Sequence, residues 1–223
     1  MRIRHLSVRN FRGIRELDWA LPDKTLFCLI GRGDSTKSTI LEALRRVFHP
    51  QWNLGFDDAD FYGCAPVNTI TIEVVLGEIT DAFRDLETYG HWLCGWNAAT
   101  HRRHNEPGDG LEDALRICLK VAKDLEPSWR VIRNDADEGV SFKATDRAKV
   151  AVSLIGAISD RHLTWSRGSL LGHLTDADNL ALSLADAGRA AKTALEARRA
   201  ESLTEFDAVA KTAEATARSL GVN

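Results

Sequence analysis

The chain has 223 residues, 44% of them hydrophobic, and a formal net charge of −3. This length supports one large core, or a core with an appended segment. The weak negative charge does not indicate a nucleic-acid-binding protein, so any basic patch would be local. The four cysteines form no Cys-x-x-Cys pair, which predicts a cytoplasmic protein without a disulfide framework. No apolar run approaches about 18 residues, so no membrane contact is expected.

The N-terminal part predicts a hairpin, a buried strand, a glycine-rich loop and a helix, in that order. Charged and apolar residues alternate over residues 3–14 and 17–21, as in two paired strands. Residues 26–30 are continuously apolar, which is typical of a strand buried on both faces. Apolar residues then recur at helical spacing over residues 40–48, and Pro50 ends the pattern.

Weaker patterns follow along the middle of the chain. They predict an aspartate-rich loop over residues 51–64, strands over 70–76 and 115–121, a short helix over 81–86, an irregular segment over 90–110, two short strands around an Asn134-Asp135 turn, and a helix over 146–158.

The last stretch differs in kind, because residues 176–220 contain no proline and much alanine. Apolar residues there step by three and four, which predicts long amphipathic helices projecting from a compact head. Two ordinary packed helices are the alternative. We therefore expect an N-terminal ATPase lobe over residues 1–175 and a coiled-coil-like arm or dimerisation segment over 176–223.

The most specific motif is a phosphate loop between the predicted buried strand and the predicted helix. It reads Gly31-Arg32-Gly33-Asp34-Ser35-Thr36-Lys37-Ser38-Thr39. Successive backbone N–H groups and a helix N-terminus form an anion site in such a loop. We expect Lys37 to reach the β- and γ-phosphates, Ser38 to ligate Mg²⁺ and Thr39 to contact the α-phosphate. The motif predicts bound ATP with Mg²⁺; a chance glycine-rich turn is the alternative.

One residue departs from the pattern G-x-x-x-x-G-K-[ST], which has glycine where this chain has Thr36. A β-branched residue has less conformational freedom than glycine. If the loop requires a positive φ at this position, the strain is about 1–2 kcal/mol.

Two pieces of the sequence carry a family resemblance. Residues 3–14 contain Asn10-Phe11-Arg12, and the phosphate loop continues into Ile40-Leu41-Glu42-Ala43-Leu44. Together they resemble the ABC-type heads of the RecF, structural-maintenance-of-chromosomes and OLD nuclease superfamily. The run Asp58 to Tyr62 is similar to OLD-like ATP-dependent endonucleases in particular. The resemblance implies an α/β P-loop NTPase fold, the N-terminal lobe of such a head, with a mixed sheet followed by long amphipathic helices.

The resemblance also implies roles for residues outside the loop. Asn10 and Arg12 are expected to contact the nucleotide, although a solvated arginine is an equal alternative for Arg12. The aspartates Asp57, Asp58 and Asp60 are either Mg²⁺ ligands or turn caps.

Several motifs of these heads are missing from the sequence: a glutamine loop, a Ser-Gly-Gly signature, a Walker B strand ending in Asp-Glu, and a switch histidine. The acidic cluster of a Toprim nuclease is missing as well. We therefore expect a fragment that binds ATP without hydrolysing it. By resemblance, two heads sandwich ATP, which implies a homodimer or higher oligomer through heads and helices. DNA and a nuclease effector are the expected partners of the intact protein, in DNA repair or phage defence.

Other interpretations of the chain stay open. A nucleotide-gated scaffold module without turnover is one, and a small P-loop kinase is another, although the hairpin before the loop disfavours a kinase. A zinc site built from His91, Cys94, His101 and His104 matches no common finger spacing. The Arg102-Arg103-His104 run is a candidate weak phosphate-backbone patch, and Asp160 to Arg167 is a candidate contact or salt-bridge segment.

Overall fold

The computed structural model describes residues 1–33, 35–150, 152–155, 186–198 and 209–216. The chain divides into two units, Met1–Leu154 and Ile155–Asn223. In the second unit the described residues 186–198 and 209–216 are helical. The rest of the predicted arm, the boundary expected at residue 175, and the segment from Asp160 to Arg167 lie outside the described residues, so those expectations stay predictions.

The first unit is an α/β structure built on one antiparallel sheet. Its strands are β1 (Arg2–Phe11), β2 (Ile14–Ala20), β3 (Ile70–Gly77), β4 (Cys94–Asn97), β5 (Arg102–His104), β6 (Glu112–Val121), β7 (Pro127–Val131) and β8 (Val140–Ser141), and its helices are α1 (Lys37–Val47), α2 (Asp81–Arg84) and α3 (Ala144–Val150). The strand order is β2-β1-β3-β6-β4-β5, and β7 pairs with β6 and β8. Within the described residues every strand pair is antiparallel, so the prediction of a mixed sheet is wrong for this part of the chain.

The two faces of the sheet have different chemistry, because strand side chains alternate. On one face, Leu6 and Val8 of β1 lie beside Val74 and Ile72 of β3, and all four are fully buried. Helix α1 covers this apolar face and buries Ala43 and Val47 against it. The opposite face carries polar side chains. The apolar side chains of β1 lie on one face, which gives the strand its alternating sequence and fixes its register.

The predicted buried strand over residues 26–30 is absent. These residues belong to no strand, and Leu26 and Ile30 are 86% and 89% exposed. No other strand lies alongside them within the described residues, so their backbone has no ladder partner. The Phe27 ring meets Trp19 edge-on, with 6.1 Å between the ring centroids, although Phe27 itself is exposed.

Most other elements match the sequence patterns, with two corrections. The irregular segment over 90–110 holds strands β4 and β5, which extend the sheet beyond β6. The helix predicted over 146–158 is α3, Ala144–Val150, and residues 152–155 are not helical. The N-terminal hairpin, α1, α2, β3, β6 and the β7–β8 hairpin are confirmed. None of the described helices is long and apolar enough to cross a membrane.

A cluster of buried charges fixes helix α1 to the end of β1. Asp60, in a short 3-10 turn, accepts from Arg12 Nε at 2.8 Å and lies 3.2 Å from Arg46 Nη1. Arg46 also pairs with Glu42 one turn earlier, at 3.0 Å, and its guanidinium stacks over the Phe56 ring at 4.3 Å. The cluster joins the hairpin, the 3-10 turn and the helix that follows the phosphate loop.

Glu42 is held in its charged form by this cluster. Burial alone would raise its pKa, but hydrogen bonds from Arg45 and Arg46 outweigh burial and lower the pKa from 4.5 to about 2. The carboxylate therefore stabilises the fold above about pH 4.5, and this contribution is lost as the pH falls towards 2.

We expect Glu42→Gln to lower the free energy of unfolding by about 1–2 kcal/mol at pH 7, a value reduced for solvent screening. Chemical denaturation should show the gap between variant and parent closing as the pH falls from 4.5 towards 2. The control is Glu16→Gln, because Glu16 is exposed and its pairing distance to Arg9 is 3.5 Å. A loss that is equal at every pH would contradict the ion-pair origin.

Candidate nucleotide-binding site

The phosphate loop curls around the ammonium group of Lys37. Its Nζ donates to the Gly31 carbonyl at 2.9 Å, to Ser35 Oγ at 2.7 Å and to the Arg32 carbonyl. A Cβ on Gly31 would come within 2.6 Å of Ser35 Oγ, so a larger residue there would displace the Ser35 hydroxyl from its contact with Lys37. The Lys37 ammonium therefore occupies the centre of the loop, where two carbonyls and a hydroxyl take the place of an anion.

Helix α1 begins at this loop without a side-chain cap. Its N-cap residue Thr36 makes no capping hydrogen bond, and no acidic residue lies in the first turn. Thr36 Oγ1 donates instead to the Ser35 carbonyl at 2.7 Å. The 3-10 turn at Asp58–Asp60, by contrast, has a complete capping box. An uncapped N-terminus leaves N–H groups and the positive end of the helix dipole available to an external anion.

Thr36 has the backbone conformation that the sequence pattern reserves for glycine. Its φ of 61° and ψ of 7° lie in the left-handed region. The position thus requires a positive φ, and threonine adopts it at a cost of about 1–2 kcal/mol. The Thr36 methyl group lies 3.0 Å from where a Cβ on Gly13 would stand. The bulk of Thr36 is accommodated because the β1–β2 turn has glycine opposite it.

The other predicted site residues divide between the loop and the hairpin. Ser38 is exposed and Thr39 is half-buried in the first turn of α1, while Gly33 has open space around it. Asp34 lies outside the described residues. Asn10 Nδ2 donates to the Thr69 carbonyl at 3.2 Å.

Arg12 is engaged by protein groups. Its backbone N–H donates to the Asp60 carbonyl at 2.7 Å, and its side chain pairs with the same residue. The nucleotide contacts expected of Asn10 and Arg12 stay predictions. In the aspartate-rich loop, Asp57 and Asp60 act as turn caps. Asp57 accepts from the Ala59 N–H at 2.9 Å, and Asp60 accepts from the Asp57 N–H at 3.3 Å.

Sequence reasoning missed the residues that hold the loop in place from behind. Glu42 and Arg46 anchor the helix, and Gly13 makes room for Thr36. Two signals were available. Glu42, Arg45 and Arg46 have the three- and four-residue spacing of helix ion pairs, and Gly13 directly follows the Asn-Phe-Arg run. Neither signal says which distant residue completes the contact.

The zinc hypothesis finds no support in the part of the chain that is described, which contains no group of three or more metal-binding side chains. Cys94 is fully buried and its Sγ donates to the Ala114 carbonyl at 3.3 Å. Burial raises the pKa of this thiol to about 11, which disfavours the thiolate that a zinc ion needs.

The family model described as "AAA ATPase domain" matches residues 1–155. The chain belongs to this family. Family membership agrees with the geometry of the phosphate loop. An ATPase domain implies nucleotide binding, typically with Mg²⁺. The loop fits that group, because an ammonium, an uncapped helix N-terminus and an exposed hydroxyl at Ser38 converge there.

Among solved structures, one similar chain comes from work described as "Structural biochemistry of ATP-driven dimerization and DNA stimulated activation of SMC ATPases". It is 13% identical, with a TM-score of 0.43, over 82% of this chain and 97% of that chain. No curated protein sequence matches the chain.

The left-handed backbone at position 36 predicts a difference between two substitutions. We expect Thr36→Gly to be more stable than Thr36→Ala by about 1 kcal/mol, because only glycine adopts a positive φ without strain. Both variants remove the same hydroxyl and methyl, so Thr36→Ala is the matched control. Denaturant unfolding measures the difference, and equal stabilities would show that the backbone at this position is not left-handed.

The contact between the turn and the loop predicts a coupling. We expect Gly13→Ala to destabilise the chain, because the new methyl would stand 3.0 Å from the Thr36 methyl. In the Thr36→Gly background the same substitution should be milder. A double-mutant cycle in unfolding free energy should give a coupling of about 0.5–1 kcal/mol. Strict additivity would rule out the contact.

Proposed function

We propose that this chain is the ATP-binding head of an OLD/RecF-like ATPase, with the triphosphate of Mg-ATP held at Gly31 to Thr39. The observation that carries the proposal is the uncapped N-terminus of α1 directly behind a loop closed on Lys37. Membership in the AAA ATPase domain family supports it. The sequence also retains the spacing from Gly31 to Lys37 and Ser38 that phosphate loops require.

Each loop residue has a role that follows from its chemistry. The Lys37 ammonium, now satisfied by two carbonyls and the Ser35 hydroxyl, is the cation for the phosphates. The first-turn N–H groups of α1 supply further donors. Ser38 is exposed, and its hydroxyl is the proposed Mg²⁺ ligand, with Thr39 beside it for the α-phosphate. When bound, Mg²⁺ would neutralise phosphate charge.

We propose further that the head works as part of a dimer or higher oligomer. In the superfamily that the sequence resembles, two heads enclose ATP, and each completes the other's site. The openness of the loop is consistent with such an arrangement, because Gly31, Arg32 and Gly33 are all exposed. On this proposal, ATP-driven head dimerisation controls a nuclease or another DNA-bound effector, in DNA repair or phage defence, in the cytoplasm.

A nucleotide-gated scaffold module without turnover is the second candidate. The observation that favours it is in the sequence: no apolar strand ends in Asp-Glu, so no residue of that motif can orient an attacking water.

Nucleotide binding is tested by Lys37→Ala. We expect calorimetric titration with Mg-ATP to show at least a hundredfold loss of affinity, because the central cation of the loop is removed. Lys24→Ala is the control, since Lys24 is an exposed lysine outside the loop and its removal should leave affinity unchanged. Undiminished affinity in Lys37→Ala would overturn the proposed site.

Turnover and assembly separate the two candidate functions. Phosphate release measured with and without DNA reports hydrolysis, and light scattering with and without Mg-ATP reports dimerisation. Release that disappears in Lys37→Ala supports the ATPase. An ATP-dependent increase in mass without release supports the scaffold module.

A further inference from the structure

All the hydrogen-bond donors of the Lys37 ammonium are used within the phosphate loop. An ammonium group has three N–H donors. The Nζ atom donates to the Gly31 carbonyl at 2.9 Å, to the Arg32 carbonyl and to Ser35 Oγ at 2.7 Å. A phosphate oxygen that pairs with Lys37 must therefore replace one of these acceptors. Which acceptor leaves depends on how each one is attached to the loop.

The two carbonyls and the hydroxyl differ in how they can move. The carbonyls of Gly31 and Arg32 belong to the backbone, so removing either one from Lys37 requires rotation of a peptide group. The Ser35 hydroxyl leaves by rotation about a single side-chain bond, from one staggered conformer to another. All three acceptors are neutral, whereas an anionic oxygen forms a shorter bond to an ammonium that is roughly twice as strong. The Ser35 hydroxyl is therefore the acceptor that a phosphate displaces.

The backbone next to Ser35 is fixed, which leaves side-chain rotation as the movement available to this residue. Thr36 Oγ1 donates to the Ser35 carbonyl at 2.7 Å. Thr36 is itself tied to helix α1, because the Ile40 N–H donates to the Thr36 carbonyl at 3.0 Å. Ser35 is exposed, so its hydroxyl can rotate towards solvent while the backbone keeps its position.

A second hydrogen bond holds the hydroxyl inside the loop. Ser35 Oγ donates to the Arg32 carbonyl at 2.7 Å while it accepts from Lys37. The hydroxyl also lies against Gly31, where an added Cβ would stand 2.6 Å from Ser35 Oγ and 3.6 Å from Lys37 Nζ. One side chain thus links the beginning of the loop to the lysine at its end, and this arrangement is a closed form of the loop.

We propose that the Ser35 hydroxyl is a latch that holds the phosphate loop closed, and that its oxygen marks the place where Lys37 receives a phosphate oxygen. This inference rests on the proposed function, in which Lys37 is the cation for the triphosphate. Only molecules in which Ser35 has rotated away accept nucleotide, so the apparent affinity is reduced by the fraction of molecules that are open. The latch slows association, and it has no effect on release because the hydroxyl has already left Lys37.

The test compares Ser35→Ala with the parent chain, since alanine keeps the backbone N–H groups and removes only the hydroxyl. Calorimetry with Mg-ATP should show about tenfold tighter binding in Ser35→Ala, because the competing hydrogen bond to a charged group is lost. Stopped-flow measurements with a fluorescent ATP analogue should show a faster association rate and an unchanged dissociation rate. Ser128→Ala is the matched control, because Ser128 is an exposed serine of β7 outside the loop, and it should bind like the parent.

The outcomes separate the latch from the proposed function. If Lys37→Ala abolishes binding but Ser35→Ala binds with the parent's affinity or more weakly, the latch is wrong and the nucleotide site stands. A gain in Ser35→Ala that comes from slower dissociation also overturns the latch, because the hydroxyl would then act on the bound state. If neither the parent nor Ser35→Ala binds Mg-ATP, both proposals fail.

Discussion

The pairing of Asp60 with both Arg12 and Arg46 is the contact on which the position of the phosphate loop depends. One carboxylate receives a cation from the hairpin and another from helix α1, at 2.8 and 3.2 Å. The helix therefore cannot rotate or slide without breaking a buried ion pair, and loss of one partner of such a pair is strongly destabilising. Since the loop ends where the helix begins, the same contact sets the direction in which Lys37 and the helix N-terminus point.

The strain at Thr36 is tolerated because of this fixed frame. A left-handed threonine persists only where surrounding contacts over-determine the backbone. Here the helix is anchored by Glu42 and Arg46, and the side chain has space against Gly13. The phosphate loop, the β1–β2 turn and helix α1 therefore hold one another in position.

The sequence predicted the features that depend on residues close together in the chain. Its predictions failed for features that depend on contacts with distant segments. Residue spacing over a short stretch predicts the phosphate loop, helix α1 and the positive φ at Thr36. The run from Leu26 to Ile30 has the composition of an interior strand, but composition cannot say whether another strand lies beside it. The pairing of Arg116 on β6 with Glu73 on β3 and with Asp135 after β7 was equally hidden, because no periodicity encodes which distant segments meet.

The exposed run from Leu26 to Ile30 has a practical consequence for handling the protein. It is uncharged and free of proline, and its aliphatic and aromatic side chains are typical of cross-β segments. Lys24 and Arg32 flank it and oppose in-register stacking through repulsion between like charges, an effect that salt weakens. High ionic strength should therefore promote colloidal association of the free protein. Association of this kind would not require nucleotide, unlike an ATP-driven head dimer.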